Sequence, residues 1–480
     1  FFISLSLSLF SFRFLATMAA SSSVVDDYLD YGHAKCIAFN RRGTLLAVGC
    51  KDGRCVIWDF ETRCIVKELK DEECSSPINS VCWSRSCNHL LVSSADQSLT
   101  LWDVKNDNRI TRIVLQKNPL QARLHPRSSK PPLCLACPLS VPPLIVDLNT
   151  EKTTSLHICV LHSRCDCSDA TTFCSPTPAC FNKYGNLVYV GTSKGKILLI
   201  DYIENEVHAM ILIPGDCEVK NIVFSRNGRY LLANSSDRII RIYENLLPLK
   251  DEVKALDALK GNFSGLKGTD KLQAVGSNCL TLIREMQDLT MISHWKSPCF
   301  SDNGEWVVAG SASKGGHKIY IWDKAIQVKI LEGPKESIVD LAWHPARPIV
   351  VSVCLAGKIH VWAKDVSENC SVFVPFVERE DEFDLKSPET EKEVKRSKGD
   401  EVEEGEIVEN VENVEKGLDF SDSDMSQEEL CFLPASPTYN VPELTDKLIR
   451  SSPESVDSNN SSPSGDTSGE GTNRRRTPSQ

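Results

Sequence analysis

From Cys36 to Trp362 the apolar positions come in short runs, each cut off by a polar turn, and the runs fall into groups of three. One group reads CIAFNRRGTLLAVGCKDGRCVIWD, from Cys36 to Asp59: strand, turn, strand, turn, and a third strand that closes on Trp-Asp. The phrase returns as SVCWSRSCNHLLVSSADQSLTLWD (Ser80 to Asp103), ACFNKYGNLVYVGTSKGKILLID (Ala179 to Asp201), NIVFSRNGRYLLANSSDRIIRIYE (Asn221 to Glu244), PCFSDNGEWVVAGSASKGGHKIYIWD (Pro298 to Asp323) and LAWHPARPIVVSVCLAGKIHVW (Leu341 to Trp362). A worn copy fills the gap from Ala122 to Leu148, making seven in all. Alternation in Leu45-Leu46-Ala47-Val48-Gly49 and Arg54-Cys55-Val56-Ile57-Trp58 suits strands. Arg42-Gly43, Asp52-Gly53, Asn227-Gly228 and Asn303-Gly304 supply the residues that tolerate positive φ in tight hairpins.

Repetition at roughly 40–45 residues with four strands per unit is the signature of WD40 blades. The expected fold is therefore all-β: a seven-bladed WD40 β-propeller over residues 24–376. A lone four-stranded blade cannot bury both its faces, whereas neighbours in a closed ring cover one another and leave no end to aggregate. The N-terminal stretch Val24 to Tyr31 is the preferred source of the last outer strand, with Ser371 to Phe376 as the alternative. Asp52, Asp96 and Asp237 share the second turn of their repeats, where a carboxylate braces the turn by hydrogen bonding, so they read as structural. The stretch from Asn245 to Ser297 is too long for a turn. Its Leu249 to Leu266 portion reads as a helix or irregular insertion, either a partner-binding loop or a decorated edge.

Composition adds an uneven charge. The 480 residues are 41% apolar with a net charge of −11, and from about Glu378 onward Glu, Asp, Ser, Pro and Asn dominate while aromatics thin out. Such a segment cannot repay the entropy of ordering. An acidic partner-binding segment is expected at 377–384, followed from about Asp384 by a disordered acidic, Ser/Pro-rich tail over 385–480. At the other end, the apolar run FFISLSLSLF precedes Arg13, the reverse of a secretory signal, so Met18 reads as the start and 1–23 as leader or disordered chain. That run is too short to span a bilayer, and no membrane partner is expected.

The 20 Cys are scattered through strand positions such as Cys36, Cys55, Cys82, Cys180, Cys299 and Cys354, as buried thiols in a reducing compartment would be. Cys165, Cys167, Cys174 and Cys180, near His157 and His162, lack the paired spacing of a zinc site. Enzymatic motifs are equally thin. Gly310 to Gly316 faintly echoes a phosphate loop, but Gly316 stands where Lys is required and no helix follows. There is no HExxH. No catalytic residue, cofactor, metal or small-molecule substrate is expected, and the chain reads as a non-enzyme.

FNRRGTLLAVGCKDGRCVIWDF, SSDRIIRIYE, VVAGSASKGGHKIYIW and AWHPARPIVVSVCLAGKIHVWA resemble the propeller of the retinoblastoma-binding protein 5 family. The tail resembles that family in the same order, through Glu378-Arg379-Glu380-Asp381-Glu382-Phe383-Asp384, the stretch Glu403 to Val411, Phe420-Ser421-Asp422-Ser423-Asp424 and Leu430-Cys431-Phe432-Leu433-Pro434. The resemblance implies a nuclear, non-catalytic scaffold of a COMPASS-type complex that methylates lysine 4 of histone H3. Such a scaffold would hold a SET-domain methyltransferase, a SPRY-domain subunit and a second WD40 subunit on the nucleosome.

Carried over by position, Phe373, Pro375, Phe376 and Glu378 would buttress the SET domain, and Glu380, Asp381, Glu382, Phe383 and Asp384 would bind the SPRY subunit. Glu404, Glu406, Ile407 and Val408 would bind the second WD40 protein. Acidic peptides with one or two apolar anchors suit basic grooves, and joined on one chain they gain from effective concentration. A solvated spacer is the bland alternative for each stretch. The chain is shorter than the family pattern between Pro375 and Glu378, inside the segment that would stimulate the methyltransferase. Family propellers also present a row of arginines to nucleosomal DNA. Arg238 matches one position, Lys335 replaces another, Ile292 loses the charge at a third, and Lys314 stands in for a fourth. Phosphate contacts of this kind are salt-sensitive and blind to sequence. The competing class is a generic WD40 adaptor, such as a ubiquitin-ligase substrate receptor.

Overall fold

A computed structural model of the chain describes residues 25–127, 133–158, 177–288, 294–323 and 327–363. These form seven antiparallel sheets of four strands each, the blades of a propeller. Blade 1 runs outward from the channel as Ala34–Phe39, Leu45–Cys50, Arg54–Asp59 and Cys64–Lys70. The three-strand phrase in the sequence thus supplies the inner strands of a blade. The fourth, outer strands lie in the intervals between the phrases: Asn108–Val114, Thr153–Ser155, Glu206–Leu212, Leu280–Met286 and Gln327–Glu332 for blades 2 to 6. Even the worn copy forms blade 3, with strands Pro119–Leu124, Leu133–Pro138 and Leu144–Asp147.

The ring closes with the N-terminal segment. Strand Val25–Leu29 pairs antiparallel with Ile359–Trp362, the third strand of blade 7. Blades 7 and 1 then share a core in which Ile37, Val48 and Val56 meet Val351, Val353 and Val361. Polar contacts fix the same seam. Asp340 Oδ2 accepts a hydrogen bond from the Ile37 amide at 2.9 Å, and His344 Nε2 lies 3.1 Å from the Gly43 carbonyl. Gly43 has φ +81°, and a Cβ there would collide with the His344 imidazole, so glycine is required both by the turn and by the seam. The other six seams each carry an apolar cluster of their own. Between blades 6 and 7 the packing is joined by a polar chain: Trp362 Nε1 donates to Ser352 Oγ at 2.8 Å, and that hydroxyl lies 2.7 Å from His317 Nε2.

The long interval after Asn245 holds two helices, α1 (Glu252–Asn262) and α2 (Gly268–Ser277), before the outer strand of blade 5 begins. They pack on the outer strand of blade 4, where Leu256, Val275 and Cys279 join the core between blades 4 and 5. At Gly276 a Cβ would strike the Met210 carbonyl, which shows how closely α2 lies on that strand. An edge that would otherwise offer unpaired backbone groups is thereby covered. The helix expected within 249–266 is α1; α2 was not foreseen. Among the described residues no helix is long and apolar enough to cross a membrane.

Candidate nucleic-acid interface

Antiparallel strands stacked outward from a channel send their connections to alternate faces. The turns between second and third strands emerge on the same face as the links between blades, here called the interblade face. The remaining turns and the helical insertion occupy the insertion face. Arg238 lies in the second turn of blade 5, Lys314 in that of blade 6, and Lys335 in the link from blade 6 to blade 7. All three cations therefore share the interblade face, on successive blades, and all three are exposed.

Each is presented by a braced backbone. In blade 5, Asp237 Oδ1 accepts from Ser235 Oγ at 2.6 Å and from the Ile239 amide at 3.2 Å. The buried Arg241 reaches up to Asp237 Oδ2 at 2.6 Å, to Ser235 Oγ at 2.6 Å and to Glu285 at 2.8 Å. Burial pushes the Asp237 carboxyl up, but its bonds with Arg241 and Ser235 outweigh this and hold it below the usual range. The turn is so consumed by its own network that Asp237 has a structural role, while Arg238, at φ +68°, stands outward with its carbonyl accepting from Trp295 Nε1 at 2.7 Å. Asp52 and Asp96 do the same work: Asp52 Oδ1 accepts from the Arg54 amide, and Asp96 Oδ1 from the Ser98 amide and hydroxyl. In blade 6 the Gly315 amide donates to Ser337 Oγ at 3.4 Å, and that hydroxyl donates to the Ser313 carbonyl at 3.2 Å. The Lys314 turn and the Lys335 link are thus tied to each other. The segment that faintly echoed a phosphate loop is a strand-to-strand turn, between Trp306–Ser311 and Lys318–Asp323.

Several carboxylates on this face are already paired with cations: Asp52 with Arg54, Asp71 and Glu73 with Arg109 and Arg112, Glu218 with Lys220, and Asp30 with Lys358. Local potential therefore departs from the net charge, because charges act over about 8–10 Å at physiological ionic strength. At the mouth of the channel a cavity of about 560 Å³ is lined by Lys220, Lys296, His294 and Gln121 among others, with no Asp or Glu in the lining. The exposed Lys296 was overlooked in the sequence. The signal was there, since Lys35, Lys220 and Lys296 each occupy the second position of an innermost strand. Ile292 lies outside the described residues, as do Phe373, Pro375, Phe376 and Glu378, Glu380 to Asp384, and Glu404, Glu406, Ile407 and Val408. Of the cysteine group, Cys165, Cys167 and Cys174 also lie outside. Cys180 is buried in the innermost strand of blade 4, where desolvation pushes its thiol up to about 12.

The WD domain, G-beta repeat family matches at residues 28–59, 64–103, 210–244 and 326–363. Protein RBL of Arabidopsis thaliana is 55% identical over 447 residues, which cover 89% of this chain and 80% of the relative. The Retinoblastoma-binding protein 5 homolog of Drosophila melanogaster is 34% identical over 427 residues, 85% of this chain and 78% of the relative. The chain belongs to the retinoblastoma-binding protein 5 family. Another relative is the Set1 complex component swd1 of Schizosaccharomyces pombe, 31% identical over 385 residues, covering 78% of this chain and 87% of that one. The crystal structure of the Cps50 (Swd1) beta-propeller domain of Myceliophteria thermophila aligns with TM-score 0.60 at 28% identity, over 71% of this chain and 99% of that domain. In this member of the retinoblastoma-binding protein 5 family, the repeat model passes over blade 3, the inner strands of blade 4, the helical insertion and the inner strands of blade 6.

Proposed function

We propose that this chain is a nuclear, non-catalytic scaffold subunit of a COMPASS-type complex that methylates lysine 4 of histone H3. The single observation that carries the reading is kinship along most of the chain with a protein named as a Set1 complex component. In this reading the tail gathers the enzyme and its cofactor proteins. Phe373, Pro375, Phe376 and Glu378 support the SET domain, Glu380 to Asp384 hold the SPRY subunit, and Glu404, Glu406, Ile407 and Val408 hold the second WD40 subunit. The propeller contributes the interblade face, where Arg238, Lys314 and Lys335, joined by Lys296, meet DNA phosphates. A rigid ring suits that role because it fixes the cations relative to one another, so that little is lost in ordering them on binding. Carboxylates inside the turns are spent on bracing, and the cations between them face outward.

Purification of the tagged full chain from nuclei tests the reading. It should recover a SET-domain methyltransferase together with the SPRY and second WD40 subunits, and deletion of residues 380–384 should lose the SPRY subunit alone. Recovery of ubiquitin-ligase components in place of a methyltransferase would reject the scaffold and favour the generic adaptor.

A further inference from the structure

On the insertion face, the outer hairpin of blade 4 departs from its counterparts in a way that the scaffold role does not use. Each of the hairpins of blades 1, 2, 4, 5 and 6 carries a one-residue bulge in its outer strand, where the register slips. Such a bulge re-aims the extra side chain. The bulged residue is Val66 in blade 1, Ile110 in blade 2, Ile283 in blade 5 and Val328 in blade 6; in blade 4 it is His208. His208 is 1% exposed, and neither ring nitrogen has a hydrogen-bond partner. Burying an imidazole with both nitrogens unmet is costly, and an aliphatic at that place would avoid the cost. The environment is also one-sided. Glu204 Oε2 lies 3.9 Å from Nε2, and ligand atoms of Asp201, Glu204 and His208 all fall within 4.8 Å of one another. Across the ring, Asp257 of α1 lies 3.7 Å from Nδ1, itself 3.6 Å from Lys260.

We propose that Asp201, Glu204 and His208 form a divalent metal site, suited to Zn²⁺, that fastens α1 to blade 4. Imidazole nitrogen and carboxylate oxygen are both donors this ion takes, and tetrahedral binding brings ligand atoms to about 3.3 Å apart. The Glu204 side chain is exposed and can rotate to close its part of the gap. Asp201 Oδ1 is engaged by the amides of Ile203 and Glu204, which fixes the carboxyl and leaves Oδ2 to coordinate. Asp257 takes the place of the outer carboxylate that receives Nδ1–H and sets the tautomer, so that Nε2 presents its lone pair to the metal. The other turn aspartates, Asp59, Asp103 and Asp147, show the same bonds to the turn amides without a Glu and His beside them, so the turn bonds alone do not mark the site.

The test uses the full chain, stripped with chelator and titrated with Zn²⁺ alone, beside His208→Val and Glu204→Gln. Val occupies the equivalent bulge in blades 1 and 6, so the first variant should fold. The wild type should take up one Zn²⁺ more per chain than His208→Val, and Glu204→Gln should bind that ion at least about tenfold more weakly. Zn²⁺ should raise the wild-type melting temperature and leave that of His208→Val unchanged. Co²⁺ substituted at the site should show d–d bands free of thiolate charge transfer, which separates it from the chain's many cysteines. Equal uptake by wild type and His208→Val, no uptake by either, or a thiolate-to-cobalt band in the difference spectrum would each overturn the proposal.

Discussion

The two faces of the ring use desolvated carboxylates in opposite ways. On the interblade face, Asp237 meets the Arg241 guanidinium and is held below the usual carboxylate range; Asp96, bonded by Ser98 and Arg112, is held low as well. On the insertion face, Glu252 opens α1 fully buried, with only the amides of Asn182 (2.5 Å) and Asn245 (3.5 Å) as donors. With no cation beside it among the described residues, desolvation pushes its carboxyl up to about 7. At Asp237 and Asp96 hydrogen bonds and a nearby guanidinium outweigh desolvation, whereas at Glu252 two amide donors do not. The lesson for function is that one face is a rigid, charge-compensated platform for outward cations, while the other holds an insertion whose anchor answers to pH.

Both faces presuppose a closed ring, and the largest effect comes from opening it. Deleting residues 25–29 should strip the outer strand from blade 7 and expose the edge of Ile359–Trp362. The expected outcome is an aggregating chain without a cooperative unfolding transition, read by size exclusion and circular dichroism. Next comes the platform. Arg241→Ala should leave Asp237 and Glu285 uncompensated and lower stability by about 3–5 kcal/mol in denaturant titrations. It should also weaken nucleosome binding, because it frees the turn that presents Arg238. Loss of stability with nucleosome affinity intact would break the link between bracing and presentation.

The pH responses sharpen the contrast. Asp237 and Asp96 have lowered values, so their stabilisation is present above the ordinary carboxylate pKa and is lost as pH falls through the depressed ones. Glu252 has a raised value, so its contribution is full below about 4.5 and is lost as pH rises through about 7. Stability at pH 5 should exceed that at pH 8 by an amount of order 2–3 kcal/mol from this group. Glu252→Gln should flatten the dependence, as measured by denaturation at the two pH values. An unchanged slope would show that the anchor does not titrate in this window.

How much of this was legible depends on how much of each element is buried. Strands such as Leu45–Cys50 are wholly buried and repeat the same apolar phrase, so seven blades could be counted directly. The outer strands Asn108–Val114 and Thr153–Ser155 are mostly or wholly exposed and carry little pattern. Helix α2 contains Gly276, a poor helix former at a point where a Cβ would strike Met210, a close approach that local propensity cannot foresee. Arg238, Lys314 and Lys335 were visible one by one, yet their common face follows from the sheet order and not from their spacing. His208 reads as an ordinary strand residue until the bulge places it against Glu204 and α1.

The most direct measurement is the salt dependence of nucleosome binding by the full chain, compared with charge reversal on either face. Arg238→Glu, Lys314→Glu and Lys335→Glu together should cost about tenfold or more in affinity and shallow the slope of log affinity against log salt by about 2–3. Arg127→Glu with Lys183→Glu, exposed cations on the insertion face, should leave both quantities unchanged. Equal losses from the two sets, or an unaltered slope in the triple variant, would contradict the assignment of DNA contact to the interblade face.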